Sequence, residues 1–213
     1  MRKRNYRLKG RMGKLSEYAR FFYIQRIKGF DIPQFPSLDP ETLAFLTDRL
    51  MTSRSYVEFG SGGSTILADK MGVATVSVEG DKFYAKAVNK GLRGGTVTML
   101  TPDIGMTGPW GWPIFKHLSK ARLARWRSYV EAPFAHAKPD LILVDGRFRV
   151  ACALETARRV KRGTLIVDDY EPRPHYRQIE KYLGKPEMIG RAAVFTLSGQ
   201  DVPQSAVSVH EPA

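Results

Sequence analysis

Segment 56–65 combines residue types that suit a ligand-binding turn. The apolar run YVEF (56–59), which carries Glu58, leads directly into the glycine-rich sequence GSGGST (60–65). Glycines let the backbone turn tightly and approach a ligand closely, and the free amides at the start of a following helix favour a negative group such as a carboxylate. Glu58 can hold this turn or accept a hydrogen bond from an ammonium group. We predict that the ligand is bound by Glu58, Gly60, Ser61, Gly62, Gly63, Ser64 and Thr65.

Two acids follow the next two apolar runs of the chain. Glu79 ends the run VSV (76–78), and a carboxylate about 20 residues past a glycine-rich turn can accept hydrogen bonds from both hydroxyls of a ribose. Asp103 follows the next run, where its carboxylate could accept a hydrogen bond from an adenine amino group. We therefore predict that Glu79 and Asp103 bind a nucleoside. The alternative for Asp103 is a loop carboxylate with no ligand role.

Three aspartates follow two later apolar runs. Asp145 comes after LILV (141–144), and Asp168 and Asp169 come after TLIV (164–167). Ligands of open α/β sheets bind beyond the carboxyl ends of the strands, so we expect these side chains to face a reaction centre. Asp145 or Asp169 could act as a catalytic general base or position an acceptor. The alternative is that the three residues are structural caps or loop residues.

The spacing of apolar residues indicates the elements that position these groups. Asp39 and Pro40 suit the N-cap and first position of a helix that runs to about Met51. Strands and helices alternate from Ser55 onward, which predicts a parallel sheet with helices on both faces. Gly163 is predicted to end the helix before the fifth strand. The predicted strands are 56–59, 75–78, 95–100, 141–144 and 164–167, with two short strands within 188–197 and helices at 64–71, 82–89 and 176–183.

Four segments together carry a family resemblance: VEFGSGGST, VSVEGD, PDLILVDGRFRVACAL and KRGTLIVDDY. They resemble the class I S-adenosylmethionine-dependent methyltransferases, particularly the small-molecule O-methyltransferase-like branch, from about Ser55 to Leu197. The resemblance implies an α/β fold with a Rossmann-like, doubly wound, mostly parallel seven-stranded sheet, and S-adenosylmethionine as cofactor. A nicotinamide or flavin enzyme is the alternative, but the sixth position of the glycine pattern is Thr65 rather than Gly or Ala.

The same resemblance suggests a metal site. Metal-dependent catechol-type O-methyltransferases bind magnesium with an aspartate after the fourth strand and an Asp-Asn pair after the fifth. Asp145, Asp168 and Asp169 resemble that set, although Asp169 stands where the family has asparagine. Hard oxygen ligands suit a divalent cation that lowers the pKa of a substrate hydroxyl. We therefore carry two hypotheses for Asp145 and Asp169: ligands of a magnesium ion together with Asp168, or metal-free catalytic groups.

Charge and length suggest three regions. Of a net charge of +13 in 213 residues, the segment 1–28 holds ten basic side chains and one acid. We predict a basic N-terminal extension and linker (1–38), a methyltransferase-like domain (39–199) with an insert at 101–138, and a C-terminal tail (200–213). The basic arm could attract RNA, lipid headgroups or an acidic glycan. The alternative is a solvated tail.

The rest of the sequence narrows the class of protein. No stretch approaches the length of about 20 apolar residues that a membrane-spanning helix needs, and no secretory leader is recognised, so we expect a cytoplasmic protein. The single cysteine, Cys152, leaves no intramolecular disulfide. The loop GPWGWP (108–113) could cover an acceptor or clamp the sheet edge.

Three functions remain in competition. The first is methyl transfer to oxygen, or less readily to nitrogen, of a small or glycan-like, anionic acceptor. The second is RNA methylation, with the arm supplying phosphate contacts. The third is a non-catalytic protein that keeps the fold for binding. The oligomeric state does not follow from the sequence.

Overall fold

The computed structural model of the chain describes residues 11–115 and 117–209. Helices α1–α7 span Arg11–Tyr23, Pro40–Thr52, Gly63–Lys70, Lys82–Gly91, Lys120–Glu131, Arg149–Arg159 and Glu180–Leu183. Strands β1–β7 span Tyr56–Phe59, Thr75–Val78, Val97–Leu100, Leu141–Val144, Gly163–Val167, Glu187–Ile189 and Ala192–Leu197. A π-helical segment, Ile24–Lys28, continues α1.

The seven strands form one sheet in the order β3-β2-β1-β4-β5-β7-β6. Strands β1 to β5 are parallel, and β7 pairs antiparallel with both β5 and β6. Residues of β4 alternate between two apolar clusters, with Ile142 and Val144 in one and Leu141 and Leu143 in the other. Both faces are therefore covered, as a parallel sheet requires. The predicted fold class, including the strand number and the mostly parallel pairing, is confirmed.

The strand register brings four turns to one edge of the sheet. Phe59 of β1 lies opposite Val78 of β2 and Val144 of β4, and Val144 lies opposite Val167 of β5. The residues that follow these strands must therefore lie side by side. Because these strands end in register, the glycine-rich turn, Glu79, Asp145 and Asp168 all lie at one edge of the sheet.

Gly163 does not end a helix. Helix α6 ends at Arg159, and Gly163 is the first residue of β5. A Cβ added at Gly163 would lie 2.7 Å from the main-chain oxygen of Asp140. The glycine is therefore needed because two strands approach closely, and the sequence-based prediction was wrong at this position. The predicted helix at 176–183 is mostly a 3-10 helix, Pro174–Ile179, followed by the single turn of α7.

Segments that precede β1 and follow β7 pack against the α/β domain. The Phe30 ring lies edge-on to Tyr84 of α4, with 5.1 Å between the ring centroids. In the segment predicted as a tail, three valines are buried in the core: Val202, Val207 and Val209.

Residues 1–10, which hold half of the basic side chains of segment 1–28, lie outside the described residues, so the anionic partner of the arm stays a prediction. None of the helices described is long and apolar enough to cross a membrane.

Asp39 ties the start of α2 to the turn between β6 and β7. Its carboxylate accepts hydrogen bonds from the Thr42 amide (3.0 Å) and hydroxyl (2.7 Å) and from the Arg191 amide (3.4 Å). A Cβ at Gly190 would overlap this carboxylate. Burial opposes ionisation, but the hydrogen bonds outweigh it and lower the pKa of Asp39 to about 2.

We expect Asp39→Ala to lower the free energy of unfolding by about 1–2 kcal/mol at pH 7, because an N-cap and an inter-element contact are lost. The depressed pKa means that the carboxylate stabilises the fold above its ordinary pKa and that this contribution disappears as the pH falls toward 2. Urea denaturation should therefore show the difference between wild type and variant shrinking in acid. Asp48→Ala, an exposed site on the same helix, is the control. An equal loss in both variants would contradict the capping role.

Candidate active site

The turn after β1 lies directly against the turn after β4. The Asp145 amide donates to the Phe59 carbonyl (2.9 Å), and a Cβ added at Gly60 would lie 2.8 Å from the Gly146 Cα. Conversely, a Cβ at Gly146 would overlap the Tyr129 hydroxyl oxygen and lie 2.7 Å from the Gly60 nitrogen. Gly60 also has a φ of 95°, which favours glycine. Two facing glycines thus let two main chains touch at the centre of the site.

Glu58 holds the glycine-rich turn from inside the protein. Its carboxylate is fully buried and accepts hydrogen bonds from four hydroxyls. The donors are Tyr56 (3.1 Å), Ser64 (2.6 Å), Ser77 (2.7 Å) and Thr65. Burial raises the pKa of Glu58 above its ordinary value, and these hydrogen bonds offset only part of that increase. Glu58 was predicted either to hold the turn or to accept a hydrogen bond from an ammonium group. The geometry agrees with the first role, because the hydroxyls of the turn and of β2 surround both carboxylate oxygens.

Glu79 joins the end of β2 to the glycine-rich turn. Its Oε1 atom accepts from the Asp81 amide (2.9 Å) and its Oε2 atom from the Ser61 amide (3.3 Å). Burial raises the pKa of Glu79 to about 7, with a further contribution from the Asp81 carboxylate, although both amide hydrogen bonds lower it. The side chain is only partly buried. Glu79 is thus a partly exposed carboxylate that is hydrogen-bonded to the glycine-rich turn.

Asp103 has a different environment. Its side chain is 71% exposed and forms a 3.3 Å ion pair with Arg125 of α5. Its Oδ1 atom accepts from the Gly105 amide (2.9 Å), which shapes the loop after β3. The adenine contact of Asp103 stays a prediction, and these contacts describe a loop carboxylate.

Arginines surround the three aspartates at the ends of β4 and β5. The Arg149 Nη2 atom lies 2.8 Å from Asp145 Oδ1 and 3.6 Å from Asp169 Oδ2. Arg191 donates from Nε and Nη2 to the two oxygens of Asp168, both at 3.1 Å. A third arginine, Arg173, lies 3.0 Å from Asp169 Oδ2. The three aspartates and three arginines therefore form one ion-pair network, which Arg191 extends to a fourth carboxylate, Asp39, at 3.9 Å.

This network does not fit a metal site. Within residues 11–115 and 117–209, no three His, Cys, Asp or Glu side chains are arranged to hold a metal ion. The oxygens of Asp145, Asp168 and Asp169 that would coordinate magnesium instead face arginine side chains. The magnesium ligand set suggested by the sequence is therefore not supported, because a magnesium ion would have to displace guanidinium groups that are already hydrogen-bonded to these aspartates.

Asp145 is the most exposed of the three aspartates. Its side chain is 35% exposed, against 25% for Asp169 and 2% for Asp168. Burial, together with the Asp168 and Asp169 carboxylates, raises the pKa of Asp145 to about 7, although the Arg149 guanidinium acts in the opposite direction. A carboxyl group with a pKa near neutrality can take up a proton at physiological pH. Of the three aspartates, Asp145 therefore combines the exposure and the raised pKa that suit the exchange of a proton with a bound molecule.

Asp169 of this network and Phe148 close to it adopt left-handed backbone conformations. Phe148, at the start of α6, has a φ of 56°, and Asp169, after β5, has a φ of 53°. Side chains other than glycine rarely adopt such angles, and they persist where the surrounding structure over-determines them. The strain lies at the ends of both strands that carry the aspartates.

The loop 107–113 lies beside Glu79 and Arg147. The Arg147 guanidinium stacks on the Trp112 ring, 4.3 Å from its centroid. A Cβ added at Gly111 would lie 3.9 Å from Glu79 Oε1 and 4.0 Å from Arg147 Cγ. The loop therefore lies between Glu79, at the end of β2, and the segment after β4. Trp110, on the same loop, is 76% exposed.

Gly146, Arg149 and Gln25 are site residues that the sequence did not reveal. Gly146 follows a recognised aspartate but belongs to no glycine pattern, and Arg149 at the start of a helix is typical of a solvated side chain. Gln25 is buried and donates to Asp81 (2.6 Å) and Thr107 (3.3 Å). The only signal available was the Asp-Gly pair directly after a buried strand.

We expect Gly146→Ala to lower the free energy of unfolding by about 1–3 kcal/mol, because the added methyl group meets main-chain atoms that have little room to move. Gly91→Ala is the matched control, since a Cβ there has ordinary contacts and the residue is helical. Chemical denaturation of both variants measures the difference. Equal stability of Gly146→Ala and wild type would show that the two turns do not depend on this close approach.

Comparison with known proteins identifies the family. No protein-family model matches the sequence, and a search of curated proteins finds no relative. A methyltransferase-like protein from Silicibacter pomeroyi is 34% identical, covers 82% of this chain and 95% of its own length, and has a TM-score of 0.72. More distant structures include a candidate O-methyltransferase from Klebsiella pneumoniae (18% identity, 86% of this chain, 97% of its own, TM-score 0.48). Another is a hypothetical protein from Thermus thermophilus (15% identity, 82% of this chain, 95% of its own, TM-score 0.45).

The Silicibacter relative is similar over nearly its whole length, and the strand order, the glycine-rich turn and the acid at the end of β2 agree with the resemblance seen in the sequence. The chain belongs to the class I S-adenosylmethionine-dependent methyltransferases and is an enzyme of that family.

Proposed function

We propose that this enzyme transfers the methyl group of S-adenosylmethionine to an oxygen atom of a small hydroxylated acceptor, with Asp145 as the general base. The observation that carries the proposal is a partly exposed carboxylate of raised pKa, directly beside the glycine-rich turn. A hydroxyl needs to lose its proton as it attacks, whereas a protonated amine loses it before attack. A base at this position therefore suits oxygen as the acceptor atom.

The turn and Glu79 fit the donor. The first amides of α3 have no acceptor within the helix, so they favour the carboxylate of the methionine part. Glu79 faces the same turn, since it accepts from the Ser61 amide, and would accept from the ribose hydroxyls. When bound, the donor supplies a methyl carbon activated by a positive sulfur. Glu58 would support this site through the hydroxyls of Ser64 and Thr65 rather than by touching the donor.

The acceptor would lie between the loop 107–113 and the end of β4. Its hydroxyl oxygen attacks the methyl carbon, the sulfur–carbon bond breaks as the oxygen–carbon bond forms, and the hydroxyl proton passes to Asp145. Arg149 holds Asp145 at 2.8 Å, so the base keeps one orientation and rate is gained from positioning. Arg147, stacked on Trp112, places a positive group beside the acceptor and favours an anionic one.

We expect the affinity for S-adenosylhomocysteine to fall by up to about tenfold per pH unit below pH 7, because a protonated Glu79 accepts hydroxyl hydrogen bonds poorly. The sign follows from the raised pKa: the group is neutral in the free protein below about 7 and must ionise to bind. The other ionisable groups that influence it are Asp81, Tyr84 and Tyr129, of which both tyrosines have raised pKa values and stay neutral.

Isothermal titration calorimetry between pH 5.5 and 8 would measure this dependence, with Glu79→Gln as the test variant. The variant should bind about 10–100-fold more weakly at pH 8 and show a weaker dependence on pH around 7, where Asp145 still titrates. Glu41→Gln, at an exposed position, is the control and should behave as wild type. An unchanged affinity in folded Glu79→Gln would remove the ribose assignment.

We expect Asp145→Asn to slow acceptor methylation by about 10²–10⁴-fold while the affinity for S-adenosylhomocysteine changes little, because the amide cannot take up the proton. The measurement is acceptor-dependent formation of S-adenosylhomocysteine with a panel of phenols, sugars and hydroxylated carboxylic acids. Asp48→Asn, on the exposed side of α2, is the control. A full rate in Asp145→Asn would exclude it as the base, and transfer confined to amines would overturn the choice of oxygen.

A further inference from the structure

A guanidinium group lies where the sequence suggested a divalent cation. Arg149 is 3% exposed, and its Nη2 atom is 2.8 Å from Asp145 Oδ1 and 3.6 Å from Asp169 Oδ2. Its Nη1 atom is 3.9 Å from Asp168 Oδ2. One positive group therefore contacts the same three carboxylates that would have bound magnesium.

The main chain fixes the guanidinium in this position. Nε donates to the Gly146 carbonyl (3.1 Å), Nη2 to the Asp145 carbonyl (3.2 Å), and Nη1 to the Asp168 carbonyl. The planar group thus bridges the ends of β4 and β5, and its donors are directed to three carbonyl oxygens and one carboxylate. A guanidinium does not lose its proton in proteins, so this positive charge is permanent.

The carboxylates compensate for an unfavourable location. Arg149 is the first residue of α6, where the helix dipole is positive, and burial further disfavours a charge there. Asp145, Asp168 and Asp169 offset both costs. Arg191 and Arg173 pair with the remaining carboxylates, so a divalent ion added to this network would have to compete with guanidinium groups that are already paired.

We propose that Arg149 is the resident cation of this active site and that the enzyme requires no divalent metal ion. A metal would both balance the aspartates and polarise a hydroxyl, whereas the guanidinium balances the aspartates and orients Asp145 through a charge-assisted hydrogen bond. Arg149 is therefore a positioning residue. The inference deepens the proposed function, on which its catalytic meaning rests, but cation binding can be measured without an acceptor.

The experiment compares wild type, Arg149→Ala and the control Arg158→Ala in the full-length chain. Arg158 lies on the same helix, pairs with Glu155 and is remote from the aspartates in its contacts. Binding of Mn²⁺ is measured by electron paramagnetic resonance of the free ion, and the melting temperature Tm is measured with and without millimolar Mn²⁺ or guanidinium chloride.

We expect wild type and Arg158→Ala to bind no Mn²⁺ and to show no rise in Tm with either cation. Arg149→Ala should melt roughly 10 °C lower than wild type, because three carboxylates lose a buried partner. Either Mn²⁺ or guanidinium should then raise its Tm, since a small cation can enter the place of the missing side chain. Should Arg149→Ala fail to fold, Arg149→Lys keeps a positive charge and should fold without binding Mn²⁺.

One-to-one Mn²⁺ binding by the wild type that is lost in Asp168→Asn would overturn the inference and leave the proposed methyl transfer intact. Failure of both cations to raise the Tm of a folded Arg149→Ala would also overturn it, as would Mn²⁺ binding by Arg149→Lys. A wild type that binds no Mn²⁺ and transfers no methyl group to hydroxyl acceptors would instead contradict the proposed function alone.

Discussion

The backbone of the turn after β1 touches the backbone of the turn after β4, and the rest of the site is arranged around that contact. Gly60 and Gly146 face each other without side chains, so the glycine-rich turn and Asp145 are held a few ångströms apart by main-chain atoms. Interiors are packed too densely for such a contact to slide. The separation between the glycine-rich turn and Asp145 is therefore set by the strand register rather than by flexible side chains.

Polar groups buried behind this contact make it rigid. Glu58 accepts hydrogen bonds from hydroxyls of β1, the glycine-rich turn and β2, so it ties these three segments together. On the other side, the arginine network joins the ends of β4 and β5 and, through Arg191, reaches Asp39 at the start of α2. Fully satisfied buried networks of this kind specify one arrangement, because partly broken versions leave costly unpaired groups.

The sequence predicted those features that depend on local patterns. The strands at 56–59, 75–78 and 141–144 were found at their observed bounds because each is a short apolar run between turn residues, and the Asp39 cap followed from its neighbour Pro40. Arg149 and Gly146 could not be found in this way. Their roles come from partners that are distant in the chain, and an arginine that opens a helix is typical of an exposed residue.

The same reason explains the misassigned Gly163. A glycine after a helical segment commonly ends the helix, but here the requirement comes from Asp140, the residue directly before the neighbouring strand β4. For the metal site, the carboxylates were located correctly at the strand ends, whereas the partners that decide their chemistry were arginines supplied by α6, the segment after β5 and the turn before β7.

Gln25 couples the loop 107–113 to the N-terminal part of the described chain. Its amide joins the π-helical segment to Asp81 and to Thr107, the first residue of the loop, and Thr107 itself donates to Asp81 (3.1 Å). Swinging the loop aside would break this buried junction and free two segments of the chain at once. Movement of the loop is therefore linked to the packing of the π-helical segment.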